Sequence, residues 1–369
     1  MATFRKRGPG QWEVQVRRRG YPSQSKTFET KAEADAWAQM IESEMARGVW
    51  LDRSEAESTT LPELLDRYEH EVVPGKRGAA QELSVLAAWR ETPLAVRTVA
   101  SIRGGDVATL RDEWLETFAP ATVLRRLAVL SHVFNTARKE WGMESLANPV
   151  ELVRKPSPKN ARTRRIAVLP AVGRIRGRTS DEAARLAASS ESRTLPGIVT
   201  LAIETAMRRG EIAALCWEHV DLVRHVAHLP ETKNGEARDV PLSPAAVEAL
   251  AAMLPAQEQK GKRRKVPTVP AALRGSVFGV RPDGITQAFE RARERARAAY
   301  EAECTERGVI AAAAFLQDLR FHDLRHEATS RLASRFQIHE LAKITGHKDT
   351  RMLLRYYHPD MAELAKRLR

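Results

Sequence analysis

Between Arg154 and Arg178 the chain carries nine lysines and arginines, no acid, and prolines at 156, 158 and 170. Like charges at that density repel one another and prolines interrupt helices, so the stretch resists folding by itself. It parts the 369 residues into bodies that must fold on either side of it. A length prior of roughly 100 to 200 residues per domain allows two or three such bodies. The same charge would neutralise phosphates, so the segment reads as an interdomain strap laid along DNA.

The whole chain shares this bias. Lysine and arginine outnumber aspartate and glutamate 60 to 47, a net charge of +13. That favours a polyanionic partner, nucleic acid before an anionic membrane surface. No run approaches the roughly 18 to 20 apolar residues of a membrane span, and the opening Met-Ala-Thr-Phe-Arg-Lys-Arg lacks the apolar core of a secretory signal. Cytoplasmic, nucleoid-associated residence is the expectation. Cys216 and Cys304 are too few for a disulfide scaffold or a cysteine zinc site. Cys216 falls in an apolar stretch that reads as helical and buried.

Residues 1–28 hold seven lysines and arginines against one acid. Trp12 to Arg17 alternates as a strand does, Gly20-Tyr-Pro supplies a turn, and Ser25 to Phe28 reads as a returning strand. Thr30 and Glu33 form a capping box for a helix reaching about Arg47, with Trp37, Met40, Ile41 and Met45 as its apolar stripe. Trp50 to Thr60 reads as a linker. From Leu61 to about Pro156 the helical period dominates, with helices beginning at Thr60, covering Glu82 to Arg90 and Asp106 to Phe118, and running on from Pro120. The last places Val123, Leu127, Leu130 and Phe134 on one face and leaves Arg125, Arg126, Arg138 and Lys139 exposed. Beyond the strap, helices mix with a short sheet suggested by His225 to Leu229 and Arg238 to Leu242. Lys260 to Lys265 is a second basic cluster in a surface loop.

Chemistry concentrates near the end, in Phe321-His-Asp-Leu-Arg-His326, Thr345-Gly-His347 and Arg355-Tyr-Tyr-His-Pro359. Two histidines, an arginine and a tyrosine pair suit attack on a phosphodiester by a phenol. Its transition state spreads negative charge over non-bridging oxygens, and arginine's planar fork binds such oxygens while keeping its charge. Arg208 and Arg325 are the candidate clamps, with Arg209 on another face of the helix. His322 and His347 are candidates for phosphate hydrogen bonding and proton handling. His326 could pair with His322 as zinc ligands, but no third ligand is spaced to complete a site, so it reads as a packing residue or a partner of the reacting groups.

Taken with Thr205-Ala-Met-Arg-Arg-Gly-Glu211 and Thr232-Lys-Asn-Gly-Glu-Ala-Arg-Asp-Val-Pro-Leu242, these motifs resemble the tyrosine recombinases of the phage integrase family. Arginine box, hairpin lysine, His-x-x-Arg box, Gly-His and terminal tyrosine occur in the family's order, closely over residues 165–360. The resemblance implies a multidomain, mainly α fold with small β-sheets: an arm-type DNA-binding module of β-strands plus helix at 1–50, a helical core-binding domain at 60–156 and an α+β catalytic domain at 165–369. It implies catalytic roles for Arg208, Lys233, His322, Arg325, His347 and Tyr356, with Lys233 protonating the leaving 5′ oxygen. The resemblance also implies Tyr356 over Tyr357, because the family's attacking tyrosine commonly lies nine positions after the Gly-His histidine and two before another histidine, here His347 and His358.

The implied reaction cleaves and rejoins DNA through a 3′-phosphotyrosyl intermediate and a Holliday junction, with no cofactor and no metal. Implied partners are double-stranded DNA with inverted core sites, a homo-tetramer on that DNA and DNA-bending accessory proteins. The Met352 to Pro359 ending also resembles shufflon recombinases. A non-catalytic architectural protein and a type IB topoisomerase-like enzyme are the alternatives. The chain departs from the family at Ala206, where glycine is usual, at His219, where aspartate is usual, and at Glu327, where a small residue is common. Glu211 reads either as a carboxylate orienting an arginine or as one partner of a surface ion pair. A short amphipathic helix is expected from Met361 to Leu368.

Overall fold

A computed structural model describes residues 1–157, 162, 164–168, 181–232, 235–255, 268–270 and 272–357. The chain separates into two compact units, Met1–Asn160 and Ala161–Arg369. Among the described residues it is mainly helical, with two three-stranded antiparallel sheets. No helix there is long and apolar enough to cross a membrane.

The first unit opens with β1 (Ala2–Gly8), β2 (Gln11–Val16) and β3 (Gln24–Phe28), paired in that order so that Phe4 faces Val14 and Trp12 faces Phe28. β1 went unread in the sequence because arginine and lysine interrupt its alternation. α1 (Lys31–Arg47) begins at the expected Thr30–Glu33 capping box and ends on Gly48 in the left-handed conformation. It buries Ala34, Ala38, Ile41 and Met45 against Val14 and Val16. Met40, expected in the stripe, is exposed at 41% because alanines fill the closest approach to the sheet. The expected linker holds a short helix, α2 (Ser54–Ser58), which seats Ala56 in the next core.

That second core is built by α3 (Leu61–Glu71), α4 (Ala79–Arg90), α5 (Gly104–Thr117) and α6 (Pro120–Glu140). Val123, Leu127, Leu130 and Phe134 are fully buried, as their spacing required. Arg126 departs from its expected exposure, since its guanidinium lies 4.5 Å from the Trp114 ring and 4.1 Å from the Phe118 ring. Cation–π attraction and a long aliphatic stem let an arginine cover apolar surface in this way.

The second unit contains α7 (Glu182–Ala188), α8 (Leu195–Thr205), α9 (Arg209–Ala213), β4 (Val220–Asp221), β5 (Val226–Leu229), β6 (Arg238–Pro241), α10 (Pro244–Ala251), α11 (Pro282–Glu306), α12 (Phe321–Ala333), α13 (Ile338–Thr345) and α14 (Arg351–Leu354). α8 is its most apolar helix and packs against α10 and α12. β6 pairs with β5, Arg238 opposite Leu229, which fixes Arg238 at the strand's start. Cys216 is neither helical nor fully buried. It bridges to Ser276 ahead of a short 3-10 turn, and the helix that the apolar run suggested stops at Ala213. The basic loop at 260–265, Lys233, and the expected helix at 361–368 lie outside the described residues.

The strap is only partly what its charge suggested. Arg162 pairs bidentately with Asp323 at 2.8 Å and reaches Asp318 at 2.9 Å. Arg164 clasps the buried Glu182 at 2.6 and 2.9 Å, and Arg165 donates to Glu327 at 2.6 Å. Three arginines that were expected on phosphates therefore anchor the segment to carboxylates of its own unit.

Ala206 ends α8 at φ 54°, fully buried. A left-handed alanine costs about 1–2 kcal/mol. Replacing it by glycine, Ala206→Gly, should raise the unit's melting temperature by ~2–4 °C in a thermal denaturation experiment; a lower melting temperature would mean that the methyl group's packing outweighs the strain.

Candidate active site

The site is organised by the C-terminal end of α13. Three consecutive carbonyls there receive three different arginines. Arg238 Nε donates to Ile344 O at 3.0 Å, Arg325 Nη2 to Thr345 O at 2.7 Å and Arg208 Nη2 to Gly346 O at 3.1 Å. A helix leaves its last carbonyls unpaired and carries partial negative charge at that end, so it suits cations. Arg325 also donates from Nη1 to the carbonyl of Ala206, tying α12 to the strained end of α8.

Glu211 supplies the balancing charge. It accepts from Arg238 at 2.8 and 2.7 Å, from Arg208 Nη1 at 2.9 Å and from the Arg208 backbone N–H at 2.7 Å. Burial alone would raise its pKa, but these donors hold it down at about 2. The two sequence readings of Glu211 thus resolve in favour of a carboxylate that orients arginines. Arg238 was not recognised in the sequence as part of this cluster. Its only signal was its place two residues ahead of Val-Pro-Leu, which says nothing of where the guanidinium goes.

Gly346 is needed for two reasons. It caps α13 at φ 69°, and a Cβ there would lie 2.9 Å from Arg238 Nη1, an atom already tied to Glu211. Arg209 takes no part. It donates to Thr286 and lies 3.6 Å from Asp283, near the start of α11.

The histidines surround this cationic cluster. His347 Nδ1 is 2.6 Å from Thr345 Oγ1, and that hydroxyl donates to Leu341 O at 2.6 Å. With the hydroxyl proton engaged, Nδ1 must be the donor, which assigns a neutral His347 with its lone pair on Nε2. Burial, then Arg325 and Arg208, push His347 down to about 4. His322 and His326 follow one another by a turn of α12, with perpendicular rings 4.9 Å apart. His322 is lowered by desolvation and by Arg325, although its side chain reaches solvent. His326 is buried and lowered to about 4 by burial and His322.

Tyr356 follows α14, and its hydroxyl is hydrogen-bonded to His326 Nδ1. Its ring packs with Ala333, Leu341 and Leu353, under the Arg355 guanidinium at 4.9 Å. Burial raises its pKa, opposed by Arg355. Tyr357 is exposed at 37%. Among the described residues the fold therefore brings Arg208, Arg325, His322, His347 and Tyr356 into one neighbourhood. Of the hairpin that would carry Lys233, only the flanks are described, where Gly235 N–H donates to Thr232 O at 2.9 Å. No group of three or more His, Cys, Asp or Glu among the described residues could hold a metal ion.

The sequence profile of the phage integrase family matches residues 179–363. A shufflon-specific DNA recombinase of Escherichia coli is 38% identical over 84% of this chain and 71% of its own length. A putative integrase/recombinase of Haemophilus influenzae is 33% identical over 98% of this chain and 89% of its own. The chain belongs to the phage integrase family.

Solved relatives agree at the level of fold. A lambda integrase tetramer bound to a Holliday junction superposes with a TM-score of 0.58 at 18% identity, over 96% of this chain and 94% of that one. The Tn1549 transposon integrase with circular intermediate DNA gives 0.59 at 16% identity, over 85% and 100%. The phage integrase resemblance read from the motifs is borne out, as is a mainly helical fold with small antiparallel sheets.

Glu327, the departure from the family's pattern, accepts from Arg165, from Arg331 at 2.7 Å and from the Ile166 N–H. Here it is a fastening point for the strap on α12. Two predictions follow from the charge arrangement. A histidine whose folded pKa lies below its unfolded value near 6.5 costs stability once the unfolded chain is protonated, so His326 and His347 should make stability fall from about pH 6.5 to about 4. Glu211 and Glu327, both held near 2, add stability that is lost from about 4.5 down to 2. Thermal melts against pH should show both declines, and His347→Gln should shrink the first only. Gly346→Ala should lower stability by about 1–2 kcal/mol through left-handed strain and displace Arg238; an unchanged melting temperature would refute the crowding described here.

Proposed function

We propose that this protein is a site-specific tyrosine recombinase in which Tyr356 attacks the scissile phosphate, forming a 3′-phosphotyrosyl bond and freeing a 5′ hydroxyl. The observation that carries the reading is the convergence of Arg208 and Arg325 on the end of α13, beside a half-buried Tyr356 whose hydroxyl is already oriented. Each guanidinium has five N–H donors, so anchoring two on the protein still leaves donors for phosphate oxygens. Such preorganised donors meet the charge that develops at phosphorus at no reorganisation cost. His322 and His347 contact the same phosphate. His347 donates from Nε2 only once protonated, a state that a bound anion favours over the DNA-free one.

In this proposal Lys233 protonates the leaving 5′ oxygen. The energy of the cleaved ester is kept in the phosphotyrosyl bond, so rejoining needs no nucleotide. The substrate is double-stranded DNA with inverted core sites, bound by two protomers, and two such sites assemble a tetramer that passes through a Holliday junction. Residues 1–50 form an arm-type DNA-binding module, 60–156 a core-binding domain and 165–369 the catalytic domain. The β1–β3 sheet supports the first assignment, since it packs α1 on one face and carries Arg5, Glu13, Gln15 and Ser25 on the other strand positions, a polar surface able to enter a groove. DNA-bending accessory proteins would help bring arm and core sites together. Biologically the reaction serves DNA integration, excision or inversion.

The test is a denaturing gel of the full chain incubated with DNA from its own genomic flanks. A covalent adduct should form with wild type and Tyr357→Phe and vanish with Tyr356→Phe. Tight DNA binding with no adduct from any of the three would favour an architectural protein.

A further inference from the structure

Resting on the assignment of Tyr356 as nucleophile, we propose that His326 is the base that takes the Tyr356 phenol proton during cleavage and returns it during rejoining. The geometry places His326 Nδ1 in a hydrogen bond with the hydroxyl, the two rings tilted by 34° with centroids 5.7 Å apart. His326 is buried on α12, a helix fastened on both sides of it by Asp323 to Arg162 and by Glu327 to Arg165. Its imidazole is thus set by the helix rather than by a mobile loop, as a group that must meet one oxygen repeatedly requires. His347 is committed through Nδ1 to Thr345. His322 meets His326 edge to face, with ring centroids 4.9 Å apart.

The proton balance is complete. As the Tyr356 oxygen forms its bond to phosphorus, the O–H bond breaks and the proton moves to Nδ1; the P–O5′ bond breaks and the 5′ oxygen takes its proton from a separate acid, Lys233 in the proposed site. In the reverse step the 5′ hydroxyl attacks phosphorus and gives its proton back to the deprotonated Lys233, the bond from phosphorus to the Tyr356 oxygen breaks, and His326 returns its proton to the departing phenolate. A neutral imidazole has one acceptor nitrogen and one N–H, so a neutral His326 can accept at Nδ1 while donating from Nε2.

The groups facing His326 are His322, Arg355, Arg325 and Asp323, cations in excess, and together with burial they keep it neutral in the DNA-free site. A phosphodiester seated among those cations offsets their field and raises the basicity of the imidazole when the proton has to move.

The decisive experiment uses the full chain on a nicked substrate that traps the adduct, with single-turnover cleavage measured for wild type, His326→Ala and His326→Gln. Both variants should cleave about 100-fold or more slowly, the usual contribution of a positioned base, with DNA affinity unchanged. Installing a fluorinated tyrosine of lower pKa at position 356 should recover His326→Gln several-fold, and a 5′-thio leaving group, which needs no protonation, should not. Full activity in His326→Gln would reduce His326 to an anchor for the hydroxyl, acceleration in both variants would make it a restraint, and rescue by the thio leaving group would make it an acid; each overturns the proposal. Histidine nitrogen NMR of the unmodified chain is independent of variant folding: Nδ1 of His326 must be unprotonated at neutral pH, and a protonated Nδ1 contradicts a base. Wild type that yields no adduct, or Tyr356→Phe that retains one, would instead refute the nucleophile assignment.

Discussion

Everything at the candidate active site depends on holding three guanidinium groups, those of Arg208, Arg238 and Arg325, close together. Two unit charges 4 Å apart at a partly buried position repel by roughly 4 kcal/mol. The fold meets this with one full negative charge and one fractional one. Glu211 binds Arg208 and Arg238 together, and the carbonyls of residues 344–346 at the end of α13 take one arginine each. Apart from the Arg208–Glu211 pair at the start of α9, these contacts join separate elements, α9 to β6 and α9, β6 and α12 to the end of α13. The electrostatic solution is therefore also the tertiary structure of the site.

Arg325 shows the compromise most clearly. Burial and the adjoining Arg208 lower its pKa to about 9, yet it remains a cation at neutral pH. A cation held in a poor solvent environment gains more from an arriving phosphate than a hydrated one would, which is how preorganisation turns folding strain into binding and rate. The left-handed Ala206, whose carbonyl accepts from Arg325, belongs to the same arrangement. Local strain of this kind persists where surrounding contacts over-determine it.

Much of this was legible from residue order because the chemistry is carried by a few side chains in recurring local settings. The Thr30 capping box, the helix start at Thr60 and the buried face of α6 could be read because each depends on neighbours within a turn or two. The role of Arg238, the purpose of Glu327 and the contact between His326 and Tyr356 could not, because their partners lie 27, 162 and 30 positions away. The strap misled for a related reason. Charge density showed that residues 154–178 would avoid one another but not that Asp323, Glu182 and Glu327 would receive three of their arginines.

Fastening Arg162 and Arg165 to the acids that directly follow His322 and His326 also sets the strap against α12, the helix that carries His322, Arg325 and His326. Both carboxylates are buried, so removing either arginine would leave a buried charge without its partner. The most direct measurement is mass-spectrometric sequencing of the nucleotide-bearing peptide recovered from a trapped cleavage reaction. The nucleotide is predicted on the Tyr356 oxygen; finding it on Tyr357, or on any other residue, would contradict the site described here.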